Sequence, residues 1–192
     1  MADSVSMQKS LTAVGVVQKN RRMRYSVGRE KHGFDVSQVC LNGHLRNAFS
    51  LTNRERCEKF CSDCGAETIT ACLDCKADIR GYLHSGRFHG MIPEDPPSFC
   101  HQCGHPYPWT AKRLDAAREL TDEATDLKPD EKETLKASFD DLVRDTPKTA
   151  LAAQRFQKLW AKLKGPTADG LKEIFVQVAT ETAKRLIFPT SK

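Results

Sequence analysis

The placement of the cysteines constrains this chain more than any other feature. All eight fall between Cys40 and Cys103. Six of them form three Cys-x-x-Cys pairs: Cys61 with Cys64, Cys72 with Cys75, and Cys100 with Cys103. A fourth pair of different make, Cys40-x-x-x-His44, precedes them. Two ligands separated by two residues can occupy two corners of a tetrahedron from one tight turn, and two such turns close a site. The frame Phe-Cys-x-x-Cys-Gly occurs twice, at 60–65 and 99–104, a short internal repeat. Its glycine lets the turn reach positive φ, so that backbone N–H groups face the thiolates. Four knuckles make two sites, and the spacing predicts a tandem pair of zinc ribbons holding two Zn²⁺ ions. Cys40, His44, Cys61 and Cys64 make the first set, and Cys72, Cys75, Cys100 and Cys103 the second.

Sequential pairing follows from the gaps. Residues 45–60 and 76–99 lie inside the two proposed ribbons, and each stretch is long enough for a hairpin. Pairing the two central knuckles instead would leave Cys40, His44, Cys100 and Cys103 to close a much longer loop. Cys57 competes with His44 for the first set. Asn42-Gly43 supplies a turn between Cys40 and His44, and NRERCEK supplies none beside Cys57, so His44 is preferred. A disulfide scaffold would fit a secreted chain. The weak apolar run LTAVGVV at 11–17 lacks the form of a signal peptide, and no apolar run reaches membrane-spanning length, so a cytoplasmic location is expected. A thioredoxin-type redox motif would open a helix within a βαβ unit, and the sequence shows none.

A catalytic zinc keeps one position open, whereas each set here has four candidate ligands. His84, His89, His101 and His105 gather near the second ribbon, but no nucleophile–base pattern and no phosphate loop accompanies them. The run from Val36 to Trp109 contains VCLNGH, FCSDCGAETIT, CLDC, IRGYLH and FCHQCGHPYPWT. With parts of the helical text that follows, DLKPDEKETL and DTPKTALAAQRF, it resembles a bacterial family of double-zinc-ribbon proteins known chiefly as a domain of unknown function. The resemblance implies a zinc-binding bacterial protein and supplies no activity.

Charge is distributed unevenly. Residues 1–33 carry seven Lys or Arg against two Asp or Glu, and residues 34–109 carry seven against nine. Thiolates bound to metal would make the ribbon segment more negative still, which weakens a nucleic-acid role there. The basic arm, 1–33, holds Arg21, Arg22 and Arg24 beside Tyr25. It reads as a solvated tail or as a segment touching nucleic acid or an acidic partner. Short strands are expected at 34–39, 67–71 and 78–83, with Gly81 at a bulge or close approach. A long loop follows over 85–98, and Tyr82, His84, Arg87 and His89 near it are candidate contact residues. Pro106-Tyr107-Pro108-Trp109 makes a stiff exit, its aromatics placed to cover a knuckle or dock the segment beyond.

From Thr110 the apolar spacing becomes helical. Leu114, Ala117, Leu120, Ala124 and Leu127 mark a first helix, and Leu135, Phe139, Leu142 and Val143 a second that Pro129 opens. Phe156, Leu159, Trp160 and Leu163 mark a third stopped by Gly165. Leu171, Ile174, Phe175, Val178, Ala179, Thr182, Leu186 and Ile187 mark a fourth. The expectation is an α+β chain: a basic arm (1–33), a double zinc ribbon (34–109) and a domain of about four helices (110–192). The leading function is a non-catalytic binding or adaptor module with a protein partner. A nucleic-acid accessory protein using the arm and a metal-assisted hydrolase around His84 and His89 are the alternatives. The apolar stripe on the last helix reads as bundle core, as a membrane-surface face, or as a seam between copies.

Overall fold

The computed structural model describes residues 32–85, 92–93 and 95–189. Arg21, Arg22, Arg24, Arg87 and His89 lie outside the described residues. The architecture is α+β: short antiparallel strands first, then five helices.

The strands make two small sheets. Strand β1 (His32–Val36) pairs with β5 (Arg80–Ser85). Strand β2 (Gln38–Cys40) sits between β3 (Leu45–Asn47) and β4 (Thr68–Ile69). The single strand expected over 34–39 is thus divided at Ser37. That residue's N–H donates to the Ile79 carbonyl at 2.8 Å, so the chain passes from one sheet to the other there. The β1–β5 register slips between Phe34 and Val36. Near this slip Gly81 lies so close to neighbouring backbone that a Cβ would sit 2.4 Å from the Ala48 carbonyl oxygen. The strand expected over 67–71 shortens to two residues, because Glu67 bridges to Phe60 and Ala71 to Asp78 at the bases of two knuckles.

Helix α1 (Pro108–Glu123) begins inside the stiff PYPW exit, with Pro108 in the first turn, where its missing N–H costs nothing. Pro129 opens α2 (Pro129–Leu142) in the same way. Two expectations need correction. Helix α3 (Thr149–Trp160) stops before Gly165, its end tightened by Lys162 and Leu163 N–H groups bonding three residues back. Gly165 and Pro166 instead open α4 (Gly165–Val178). The run expected as one last helix is two, because Thr180 begins α5 (Glu181–Ile187). The Thr180 hydroxyl accepts from the Ala183 N–H at 3.2 Å, and its own N–H donates to the Leu142 carbonyl. Buried positions run Leu171, Phe175, Val178, then Ala183 and Ile187. Ala179 is buried as well, so the stripe keeps its four-residue step from Phe175 through Ala179 to Ala183 and only the Thr180 cap marks the break. Thr182 and Leu186 face solvent.

Two apolar cores result. In the helical one Phe175 meets Phe156 edge-on and Phe139 at a tilt, with centroids 4.9 and 4.8 Å apart. Each such ring contributes roughly 2–3 kcal/mol by leaving water. The smaller core joins Val39 and Ile79 of the strands to Cys72, Cys100, Tyr107 and Trp109. Tyr107 and Trp109 stack at 4.7 Å, and the Trp109 indole N–H donates to the Pro97 carbonyl. Trp109 belongs to α1 yet is 1% exposed among ribbon residues, so it pins the first helix to the strands. Phe99 reaches the other way, into the helical core, with Arg144 above its ring.

Candidate metal centres

Each Cys-x-x-Cys knuckle is built by the same pair of backbone hydrogen bonds. Cys61 N–H donates to Ala66 and Gly65 N–H to Cys61; Cys72 to Ala77 and Lys76 to Cys72; Cys100 to His105 and Gly104 to Cys100. The first knuckle makes a one-residue-tighter version of the pair, Cys40 to His44 and Gly43 to Cys40. The turn residue takes positive φ each time: 91° at Gly43, 70° at Gly65 and 74° at Gly104. At CLDCK the same role falls to Lys76, with φ 63°, a left-handed conformation that a side chain disfavours. The repeated glycine made two knuckles legible in the sequence, and Lys76 is the member it hid.

The structure brings Cys40, His44, Cys61 and Cys64 together, and separately Cys72, Cys75, Cys100 and Cys103, with the ligand atoms of each set within 4.8 Å of one another. Each set could hold a metal ion. All eight cysteines are free thiols. With Zn–S bonds of about 2.3 Å and Zn–N bonds of about 2.05 Å, a tetrahedron sets its sulfurs about 3.8 Å apart and sulfur to nitrogen about 3.6 Å. Cys40 and Cys64 sulfurs are 3.8 Å apart, and His44 Nδ1 lies 3.6 Å from Cys40 and 3.5 Å from Cys61. In the second set Cys72 to Cys103 is 3.8 Å and Cys75 to Cys100 is 3.5 Å. The donor geometry fits a tetrahedral ion in both places. His44, not Cys57, completes the first set. Cys57 is exposed, and its sulfur accepts from the Asn47 side-chain amide at 3.5 Å.

The thiols are prepared for ionisation unevenly. N–H groups of Cys103 and Gln102 draw Cys100 down to about 6. The His105 N–H draws Cys103 down as well, but burial and the neighbouring Cys75, Cys100 and Cys72 sulfurs outweigh it and push Cys103 up to about 12. Burial likewise raises Cys40, against the N–H groups of His44 and Asn42. Four sulfurs this close cannot all ionise alone, and a divalent cation relieves the repulsion. An orphaned atom points the same way. The Tyr107 hydroxyl is buried with no hydrogen-bond partner of normal geometry, close to Cys100. Burial, and then the negative charge of Cys100, keep its proton in place far above the ordinary tyrosine range. A metal-bound Cys100 thiolate is the acceptor such a hydroxyl lacks.

Surroundings differ between the centres. Around the first, Arg46 donates to Glu58 and to Asp63, the latter at 2.6 Å, and Lys112 bonds Asn42, whose amide donates to Cys64 sulfur. Arg113 of α1 completes this ring of cations. A Cβ built on Gly43 would lie 2.8 Å from Trp109 Cβ and 3.2 Å from Arg113 Nη2. Around the second centre, Asp74 pairs with His105 at 3.2 Å. These neighbours carried no readable signal, since their partners are distant in sequence.

The other candidate contact residues are placed as follows. Tyr82 stacks on Phe49 at 4.6 Å and meets the His84 ring edge-on. His84 Nε2 lies 3.4 Å from the buried Asp35 carboxylate, which also accepts from Leu51 and Val36 N–H groups and the Thr52 hydroxyl. Burial raises Asp35, but these donors together hold it below the usual carboxylate value. Tyr82 and His84 therefore serve the junction of β1, β5 and the 49–52 turn.

Residues 33–187 match a family model described as an uncharacterized protein conserved in bacteria (DUF2321). The chain belongs to that family. The match spans both candidate metal centres and all five helices. No curated protein and no solved structure matches the chain. No helix among the described residues is long and apolar enough to cross a membrane.

Proposed function

We propose that both centres hold structural Zn²⁺ and that the protein is a non-catalytic binding module whose partner is another protein. The observation that carries this is the completeness of both sets. Four protein ligands at tetrahedral spacing leave no corner for a substrate or a reactive water. Such small ribbons bury too little apolar surface to fold unaided, and a bound ion supplies the missing stability.

Support for a protein partner comes from the outer side of the β1–β5 pair. Phe34 and Leu83 sit directly opposite each other in the ladder and are 48% and 37% exposed. The Arg80 guanidinium lies 4.8 Å above the Phe34 ring. An apolar cross-strand pair left in water beside an arginine has the composition of an interface centre.

The test joins metal analysis to affinity capture from the native host. Expected are two tightly held zinc ions per chain and a protein captured by the native chain but lost with Phe34→Ser/Leu83→Ser, at unchanged zinc content and helicity. Capture indifferent to that double substitution would remove the β1–β5 face from this reading, and binding to nucleic acid that falls steeply with salt would replace it with the nucleic-acid one.

A further inference from the structure

Beside the second centre lies a third group of metal-capable side chains that the four-ligand sets do not absorb: Asp74, Cys103 and His105, their ligand atoms all within 4.8 Å of one another. We infer that this group holds an additional divalent cation of the zinc class, with the Cys103 sulfur shared between it and the ion of the second centre. The inference goes beyond the structural-zinc reading and rests on it for that neighbouring ion.

Geometry supports it first. Asp74 Oδ2 and His105 Nδ1 stand 3.2 Å apart. Two ligands bound to one zinc-sized ion at bonds of about 2.1 Å are separated by about 3.0–3.4 Å. The pair is therefore already at the spacing of adjacent ligands. Both side chains are open to solvent, 56% and 65% exposed, so an ion there keeps positions for water or for a partner's donor atom.

Charge supports it independently. Four thiolates around a divalent ion leave the second centre negative, and the Asp74 carboxylate lies 4.0 Å from the Cys72 sulfur, adding to that charge. At the corresponding position in the first centre, Asp63 is neutralised by Arg46. No arginine pairs with Asp74 among the described residues. The nearest lysine of the knuckle, Lys76, turns its ammonium to the Leu73 carbonyl. The repeat supports it a third time. Of the four knuckles, two place alanine, Ala66 and Ala77, where their cysteine N–H finds its carbonyl, and two place histidine: His44, which joins the first ligand set, and His105, which the second set does not use. The His105 ring is thus an addition to a turn that needs no side chain there.

The test is a zinc titration of the full chain read by native mass spectrometry and by competition with a chromophoric chelator. Expected are two tight equivalents and a third, weaker one. His105→Ala and Asp74→Asn each weaken the third at least about tenfold and leave the first two intact. Cys57→Ser leaves all three unchanged. Binding that stops at two equivalents would overturn the inference and leave His105 as no more than the hydrogen-bond partner of Asp74. So would a third equivalent that survives both substitutions or disappears with Cys57→Ser. A chain that takes up no ion would overturn the structural-zinc reading itself, a result distinct from two.

Discussion

The two centres are cut from one backbone pattern and stabilised by different physics. Every knuckle closes with two backbone N–H bonds, one residue tighter at the first. Around the first centre the surrounding side chains are cations: Arg46, Lys112 and Arg113 face Asp63, Asn42 and Gly43. Around the second they are the stacked rings of Tyr107 and Trp109, with an unpaired hydroxyl beside Cys100. The first centre thus meets α1 through the Lys112–Asn42 hydrogen bond and the close approach of Trp109 and Arg113 to Gly43, while Arg46 neutralises Asp63 within the ribbon. The second is docked by burial. A repeated motif therefore fixes how ligands are presented but leaves the energetic means of attachment free.

The largest effect that would break this comparison is removal of the metal. Structural zinc contributes apparent binding energies of about 10–16 kcal/mol to small domains, most of which appears as folding. Chelation is expected to abolish the ribbon half while the Phe139–Phe156–Phe175 core keeps the helices, seen as partial loss of structure by circular dichroism with helicity retained. Cys100→Ser should give the one-sided version, with only the first centre's ion left by mass spectrometry. Next comes Trp109→Ala. Trp109 is buried in the second core and touches Gly43 of the first, so the substitution should cost about 3–5 kcal/mol in thermal unfolding and loosen both ions. Gly43→Ala tests chiefly the first centre. Positive φ and a Cβ 2.8 Å from Trp109 together should cost about 2–3 kcal/mol and weaken the first ion more than the second.

Smaller effects sharpen the contrast. Tyr107→Phe removes the hydroxyl aimed at Cys100 and should weaken the second ion about tenfold, leaving the first unchanged in a chelator competition. An unchanged second affinity would show that the hydroxyl is merely buried. Lys76→Gly relieves the one non-glycine left-handed residue among the described residues. It should raise the unfolding temperature through a gain of about 1 kcal/mol, confined to the second centre.

Legibility followed the range of the interactions. The two metal sets were readable because ligand spacing is a local property, and His44 was preferred over Cys57 because its turn residues lie beside it. Helix starts at Pro129 were readable for the same reason. Gly165 misled, because a glycine between two apolar runs can end one helix or open the next, and Pro166 beside it decides for opening. The last helix misled because the buried stripe continues across Thr180, whose cap competes with continuation only once Leu142 is there to receive its N–H.

By itself, then, the sequence determined which side chains gather as candidate ligands, their grouping into two sets and the order of strands before helices, since each depends on residues close along the chain. Tertiary structure alone decided that Trp109 belongs to both halves, that Arg46 and Arg113 guard one centre, and that Asp74 and His105 meet beside the other. Those facts depend on side chains brought together from distant stretches, and no local spacing encodes them.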